Sequence, residues 1–288
     1  MKKVLLGLFL LATLVSLQAQ DNPTYMIFDK EGKKVKYAKM LKALGQTEVI
    51  LFGETHNNPI THWLQLEVSE DLIQSKNKQV VLGAEMFEAD NQLLLDEYFS
   101  DAISEKYFED EARLWKNYQT DYKPLVVLAK ENQIPFVATN IPRRYANSVY
   151  KKGISFLDSL SEEAKRYIAP LPIEVDLDLE TYKSLLEMMG GHGGGNTNFP
   201  KAQAVKDATM AWFISQNIKP NHLFIHFNGA FHSDKYEGIN WYLHKYQPNI
   251  QILTINTASQ EDITKLDEEN LNRADFTICV PENMCKTH

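Results

Sequence analysis

The chain has 288 residues and a formal net charge of −8, with 38 acidic against 30 basic side chains and no basic tract. Such a balance is unsuited to gripping nucleic-acid phosphates. Two cysteines are too few for a zinc site or a disulfide scaffold.

Residues 1–20 read as a signal peptide: Lys2 and Lys3, an apolar run from Val4 to Val15, then a small, polar region at Ser16 to Gln20. The run is too short for a permanent membrane span, and no longer one follows. The mature chain, 21–288, is therefore expected to be exported, to a periplasm or outside the cell, as a single domain. Losing two lysines and no acid moves its charge from −8 to −10.

Short apolar runs then recur at 49–52, 80–82, 136–138, 223–225, 250–255 and 276–280. Their near-continuous apolarity predicts strands covered on both faces, hence a mainly parallel sheet. Helical patterns at 62–75, 122–132 and 200–216 lie between them, the last two opening near a proline. Strand alternating with helix predicts an α/β fold. From about 145 to 199 the alternation breaks, which predicts a helical insertion acting as a lid. It ends in a glycine-rich flap that holds Met188, Met189 and His192. The flap lacks the pattern of a phosphate cradle. Near the C-terminus, Cys279 and Cys285 could pair in an oxidising compartment.

Two of the apolar runs end in the same spacing, Gly-x-x-His: Gly53-Glu54-Thr55-His56 and Gly229-Ala230-Phe231-His232. With 13 glycines and 8 histidines, one such match is unremarkable, but two that each close a strand are informative. A terminal glycine is expected to let the chain turn sharply. If the strands are neighbours, His56 and His232 converge above the sheet. Glu85 follows a third apolar run, where it either joins them or caps the next helix. Two imidazoles with one or two carboxylates suit zinc, manganese or iron(II). In that reading His56, Glu85 and His232 hold the metal and Glu54 acts as general base, a hydrolase arrangement. Either histidine could instead only bond a loop backbone. Patterns for a serine or cysteine nucleophile are missing.

A second group is aromatic and cationic. Trp115, Tyr118 and Tyr122 precede the third strand, and Asn140, Arg143 and Arg144 follow it. Aromatic faces with guanidinium groups suit a flat anion such as haem, for which Tyr or His can serve as axial ligand. Tyr118, Asn140, Arg143, Arg144 and His192 are the candidate haem contacts, although aromatics so spaced are commonly core.

The ordered set Gly-Glu-Thr-His, Gly-Ala-Glu-Met-Phe, Ala-Thr-Asn-Ile-Pro-Arg, Lys-Ala-Gln-Ala-Val-Lys-Asp-Ala-Thr-Met-Ala and Asn-Gly-Ala-Phe-His resembles the ChaN-like haem-binding uptake proteins. These sit in a superfamily with Tiki and TraB proteins and the erythromycin esterases. The resemblance implies an α/β fold and a surface lipoprotein that binds haem for iron acquisition. For the Tiki branch it implies a divalent metal held by the paired histidines and a glutamate, here His56, His232 and Glu85, for proteolysis. Two features depart from the pattern. No lipobox cysteine is present, and the loop after the second histidine reads Ser233-Asp234-Lys235. The expected function is an exported haem- or iron-binding protein, with a metal-dependent peptidase or esterase as the alternative. A homodimer around a shared ligand and an outer-membrane uptake machinery are candidate partners.

Overall fold

The computed structural model describes residues 23–75, 79–188 and 197–288. The segment expected to be a signal peptide and the flap from Met189 to 195, with His192, lie outside these residues. In chain order the elements are β1 (Met26–Asp29), α1 (Tyr37–Leu44), β2 (Val49–Glu54), α2 (Pro59–Ser75), β3 (Gln79–Glu88), α3 (Gln92–Phe99), α4 (Glu105–Glu111), α5 (Lys123–Glu131), β4 (Phe136–Asn140), α6 (Arg143–Lys152), α7 (Glu162–Lys165), α8 (Glu180–Met188), α9 (Asn198–Asn217), β5 (His222–Gly229), α10 (Ile239–Tyr246), β6 (Ile252–Gln260) and β7 (Phe276–Pro281).

The strands form one seven-stranded sheet in the order β1-β7-β6-β2-β5-β3-β4. Every pairing is parallel except β1 with β7. All six expected strands are present. β1 was not anticipated: four residues at an antiparallel edge carry too little pattern to stand out. No helix among the described residues is long and apolar enough to cross a membrane.

Each central strand feeds two cores. Ile50 and Phe52 of β2 pack under α1, α2 and α5 with Met40, Leu44, Val68 and Val126. Val49 and Leu51 face the other way, against Ala208, Ala211 and Ile214 of α9 and Ile239 and Leu243 of α10. Burial on both faces explains why these strands read as unbroken apolar runs. It also opens the site. The helix after β2 covers one face and the helix after β5 the other, so the chain divides at the carboxyl ends of two adjacent strands and leaves a crevice there.

The helical insertion is present and packed. Ile141, Ala146, Val149, Leu157 and Ile168 form a satellite core with Ala202 and Val205 of α9. Tyr182 and Leu185 of α8 close on Ala204. The two cysteines do not pair. Cys279 is buried on β7 against Phe28, Ile263 and Leu266, whereas Cys285 is exposed. Burial, aided by Asp267 and Asp262, pushes the Cys279 thiol up to about 12.

Candidate functional site

β2 and β5 pair in register, Gly53 opposite Asn228 and Glu54 opposite Gly229, so the two Gly-x-x-His segments leave the sheet side by side. Neither glycine is there for the sharp turn expected of it; neither has a positive φ. Each is needed for space. A Cβ on Gly53 would lie 2.9 Å from the Ile255 carbonyl oxygen and 3.0 Å from Ala230 Cα. A Cβ on Gly229 would lie 2.8 Å from His56 Nε2. The imidazole of one segment thus rests on the bare backbone of the other.

Above the strand ends lies a cavity of about 510 Å³ whose lining includes Glu54, His56, Glu85, Trp115, Asn140, Arg143, Lys206, Phe231 and His232. Its floor holds two buried polar networks. In the first, Glu54 Oε1 accepts from Tyr122 Oη (2.7 Å) and pairs with His56 Nδ1 (2.8 Å), while Oε2 accepts from Gln65 Nε2 (2.6 Å). His56 therefore donates from Nδ1 and leaves Nε2 over Gly229 without a hydrogen-bond partner among the described residues. Burial alone would lower the His56 pKa, but the Glu54 hydrogen bond and the Glu85 and Glu54 charges outweigh it and raise it. Trp115 packs edge-on to the ring at 4.9 Å. His62 Nε2 and Asn117 Nδ2 both reach the His56 carbonyl, at 3.1 and 3.0 Å, and fix the loop.

The second network centres on His232. Its Nε2 faces Glu85 Oε1 at 3.2 Å and its Nδ1 faces Asp207 Oδ1 at 2.5 Å. Asp207 Oδ2 also accepts from Tyr182 Oη (2.7 Å), and Glu85 Oε2 from the Gly229 N–H (2.7 Å). Burial works against a charged imidazole, yet the two carboxylates prevail and lift His232 to about 10. Burial would likewise raise Glu85, but the charge and hydrogen bond of His232 hold it below the usual carboxylate range. Asp207 stays raised because its burial is not fully offset. His232 is thus an imidazolium clamped between two carboxylates.

The expected metal centre finds no support in this arrangement. Both nitrogens of His232 are engaged by carboxylates, and one oxygen of Glu85 is held by a backbone N–H. Among the described residues no group of three or more His, Cys, Asp or Glu side chains is placed to hold a metal ion. Glu85 does not cap the following helix either; its carboxylate turns into the cavity floor.

Of the expected haem contacts, Asn140 and Arg143 line the cavity and two others do not. Tyr118 belongs to the apolar core, its ring edge-on to Phe87 and Phe108. It and Tyr122 share one π-helical turn, which sends Tyr122 to Glu54 and Tyr118 into the interior. Arg144 is occupied elsewhere: it bonds Asp90 Oδ2 at 2.6 Å and stacks on Tyr145. Asn140 Nδ2 donates to the Glu85 carbonyl, and Oδ1 is buried without a partner among the described residues, as is Thr55 Oγ1. Two such groups beside a cavity are acceptors a ligand can satisfy. Lys206, Asp207, Tyr182 and Gln65 were not singled out from the sequence as site residues. The one signal in the sequence was an acid set among the alanines of that motif, Asp207, which the structure buries fully.

Comparison with known proteins decides the family. A model described as haem-binding uptake, Tiki superfamily, ChaN matches residues 40–243. The chain belongs to the ChaN family of haem-binding uptake proteins. Among solved structures it is similar to ChaN of Campylobacter jejuni, described with cofacial haem, at TM-score 0.68 and 20% identity over 90% of this chain and 98% of that one. A Bacillus cereus protein superposes at TM-score 0.50 with 12% identity, covering 84% and 90% of the two chains. An erythromycin esterase in its open conformation reaches 0.49 with 12% identity, covering 90% and 83%. No curated protein sequence matches the chain. At these identities the structural likeness speaks for the ChaN fold; the family model carries the assignment.

Proposed function

We propose that this ChaN-family chain is exported and binds haem in the cavity above β2 and β5, in the service of haem or iron uptake. The observation that carries the reading is the composition of that cavity. Apolar walls from Trp115, Ile141 and Phe231 face an imidazole with a free nitrogen, and cationic side chains stand at the rim. A porphyrin needs those three things: apolar surface for the ring, a donor for the iron, and cations for its propionates. His56 meets the second need through Nε2 in its neutral form, because Glu54 holds the remaining proton on Nδ1 and iron takes the place of the proton on Nε2. Bound haem would supply an iron centre; the chain supplies the pocket, the orientation and the charge at its edge. The basic and apolar start of the sequence supports export. The hydrolase alternative rested on a metal held by His56, Glu85 and His232; here both His232 nitrogens face carboxylates and Glu85 Oε2 accepts from a backbone N–H, which leaves His56 Nε2 as the one free nitrogen of that set.

Titrating hemin into the purified mature chain tests the reading. A saturable red-shifted Soret band at micromolar hemin is expected, weakened in His56→Ala. A linear, unsaturated rise identical to free hemin would end it.

A further inference from the structure

Among the described residues, two cations at this cavity lack a counter-ion, and both also line the groove beside it. Arg143 begins α6 and Lys206 lies on α9; each lines the cavity and also a groove of about 290 Å³ that adjoins it. Neither side chain has a hydrogen bond or ion pair among the described residues. Several other cations are engaged. Arg144 and Arg113 share Asp90, Arg113 also binds Glu88, and Lys123, Lys130 and Lys245 each meet a carboxylate. Two free cationic side chains that line the same cavity and the same groove are placed to hold an outside anion.

The rest of the site says how that anion is oriented. The floor carries the carboxylates of Glu54 and Glu85, which repel negative charge. The groove beyond the rim has an apolar side made by Ala146 and Ala202, with Tyr150 and Phe199 packed edge-on at 6.1 Å. We infer that Arg143 and Lys206 form a carboxylate clamp that selects a flat apolar ligand bearing free carboxylates and holds it with those groups at the rim, away from the floor. The inference rests on the haem reading and extends it from a ligand to a rule of selection: the free acid is taken, the ester refused.

The test compares hemin with hemin dimethyl ester, which keeps the ring and iron but not the carboxylates, on the wild type, Lys206→Gln, Arg143→Gln and Lys206→Arg. Each Gln variant should bind hemin about tenfold more weakly, as expected for loss of one charge-assisted contact. The ester should bind the wild type at least about tenfold more weakly than hemin and be indifferent to the Gln substitutions. Lys206→Arg should keep hemin affinity. Hemin affinity unchanged in both Gln variants, or an equal loss for hemin and ester, would overturn the clamp while leaving haem binding intact. A wild type that binds neither compound would overturn both.

Discussion

Replacing His232 by alanine is expected to lower the unfolding free energy by about 3–5 kcal/mol near neutral pH, the usual cost of stranding a buried charge. The change leaves Glu85 and Asp207 facing each other across an empty space, both almost wholly buried. Adding Glu85→Gln should recover part of the loss, since one of the stranded charges is then gone, and a double-mutant cycle would show the coupling. The pH dependence follows from the same ions. His232 rises from 6.5 to about 10 on folding, so its contribution is complete below about 6.5 and disappears as pH rises through about 10. Glu85 is lowered, so its contribution is present above its ordinary value of 4.5 and is lost as pH falls below it. Asp207, raised by burial, subtracts at pH above its ordinary range. Stability should therefore be greatest between about pH 5 and 6.5, and His232→Ala should flatten the alkaline limb. Denaturant melts from pH 5 to 10 measure this; a variant within 1 kcal/mol of wild type and parallel to it at every pH would contradict the clamped imidazolium.

The two strand-end glycines should separate stability from binding. Gly53→Ala drives a methyl into backbone on two sides, the Ile255 carbonyl and Ala230 Cα, which cannot yield without moving β6 or the turn after β5. A loss of about 1–3 kcal/mol is expected. Gly229→Ala meets the end of a side chain, the His56 ring, at 2.8 and 2.9 Å. That ring can swing aside, so stability should change by less than about 1 kcal/mol. Hemin affinity should nevertheless drop on the order of tenfold because Nε2 leaves its place. Thermal melts and Soret titrations on both variants check the pair. The reverse pattern, with Gly229→Ala unfolding and Gly53→Ala neutral, would contradict the packing described.

Much of this architecture was legible. Burial on both faces writes itself into a strand as an unbroken apolar run, so β2 to β7 could be read directly, and the repeated Gly-x-x-His spacing pointed to two strands whose pairing would bring the histidines together, as β2 and β5 do. Register was not legible: nothing local says that Glu54 stands opposite Gly229 or that β5 slips between β2 and β3. The same limit hid the purpose of the glycines, which serve contacts far along the chain, Gly229 with His56 and Gly53 with Ala230 and Ile255, rather than a local turn. Side-chain direction accounts for the errors among the haem contacts. Tyr118 and Tyr122 lie within one turn yet point to core and site, and Arg143 and Arg144 are adjacent yet only one faces the cavity. Lys206 and Asp207 were visible only as part of a motif, because their roles depend on helix α9 crossing β5, which composition does not encode.

The central claim is that ligand and imidazole meet at the carboxyl ends of β2 and β5. An iron anomalous difference map from crystals of the hemin complex tests it without relying on any variant. The iron peak should fall inside the space bounded by His56, Trp115, Arg143 and Lys206. A peak elsewhere, such as the groove beside β4 lined by Gln92, Lys130 and Phe213, with this space empty, would contradict it.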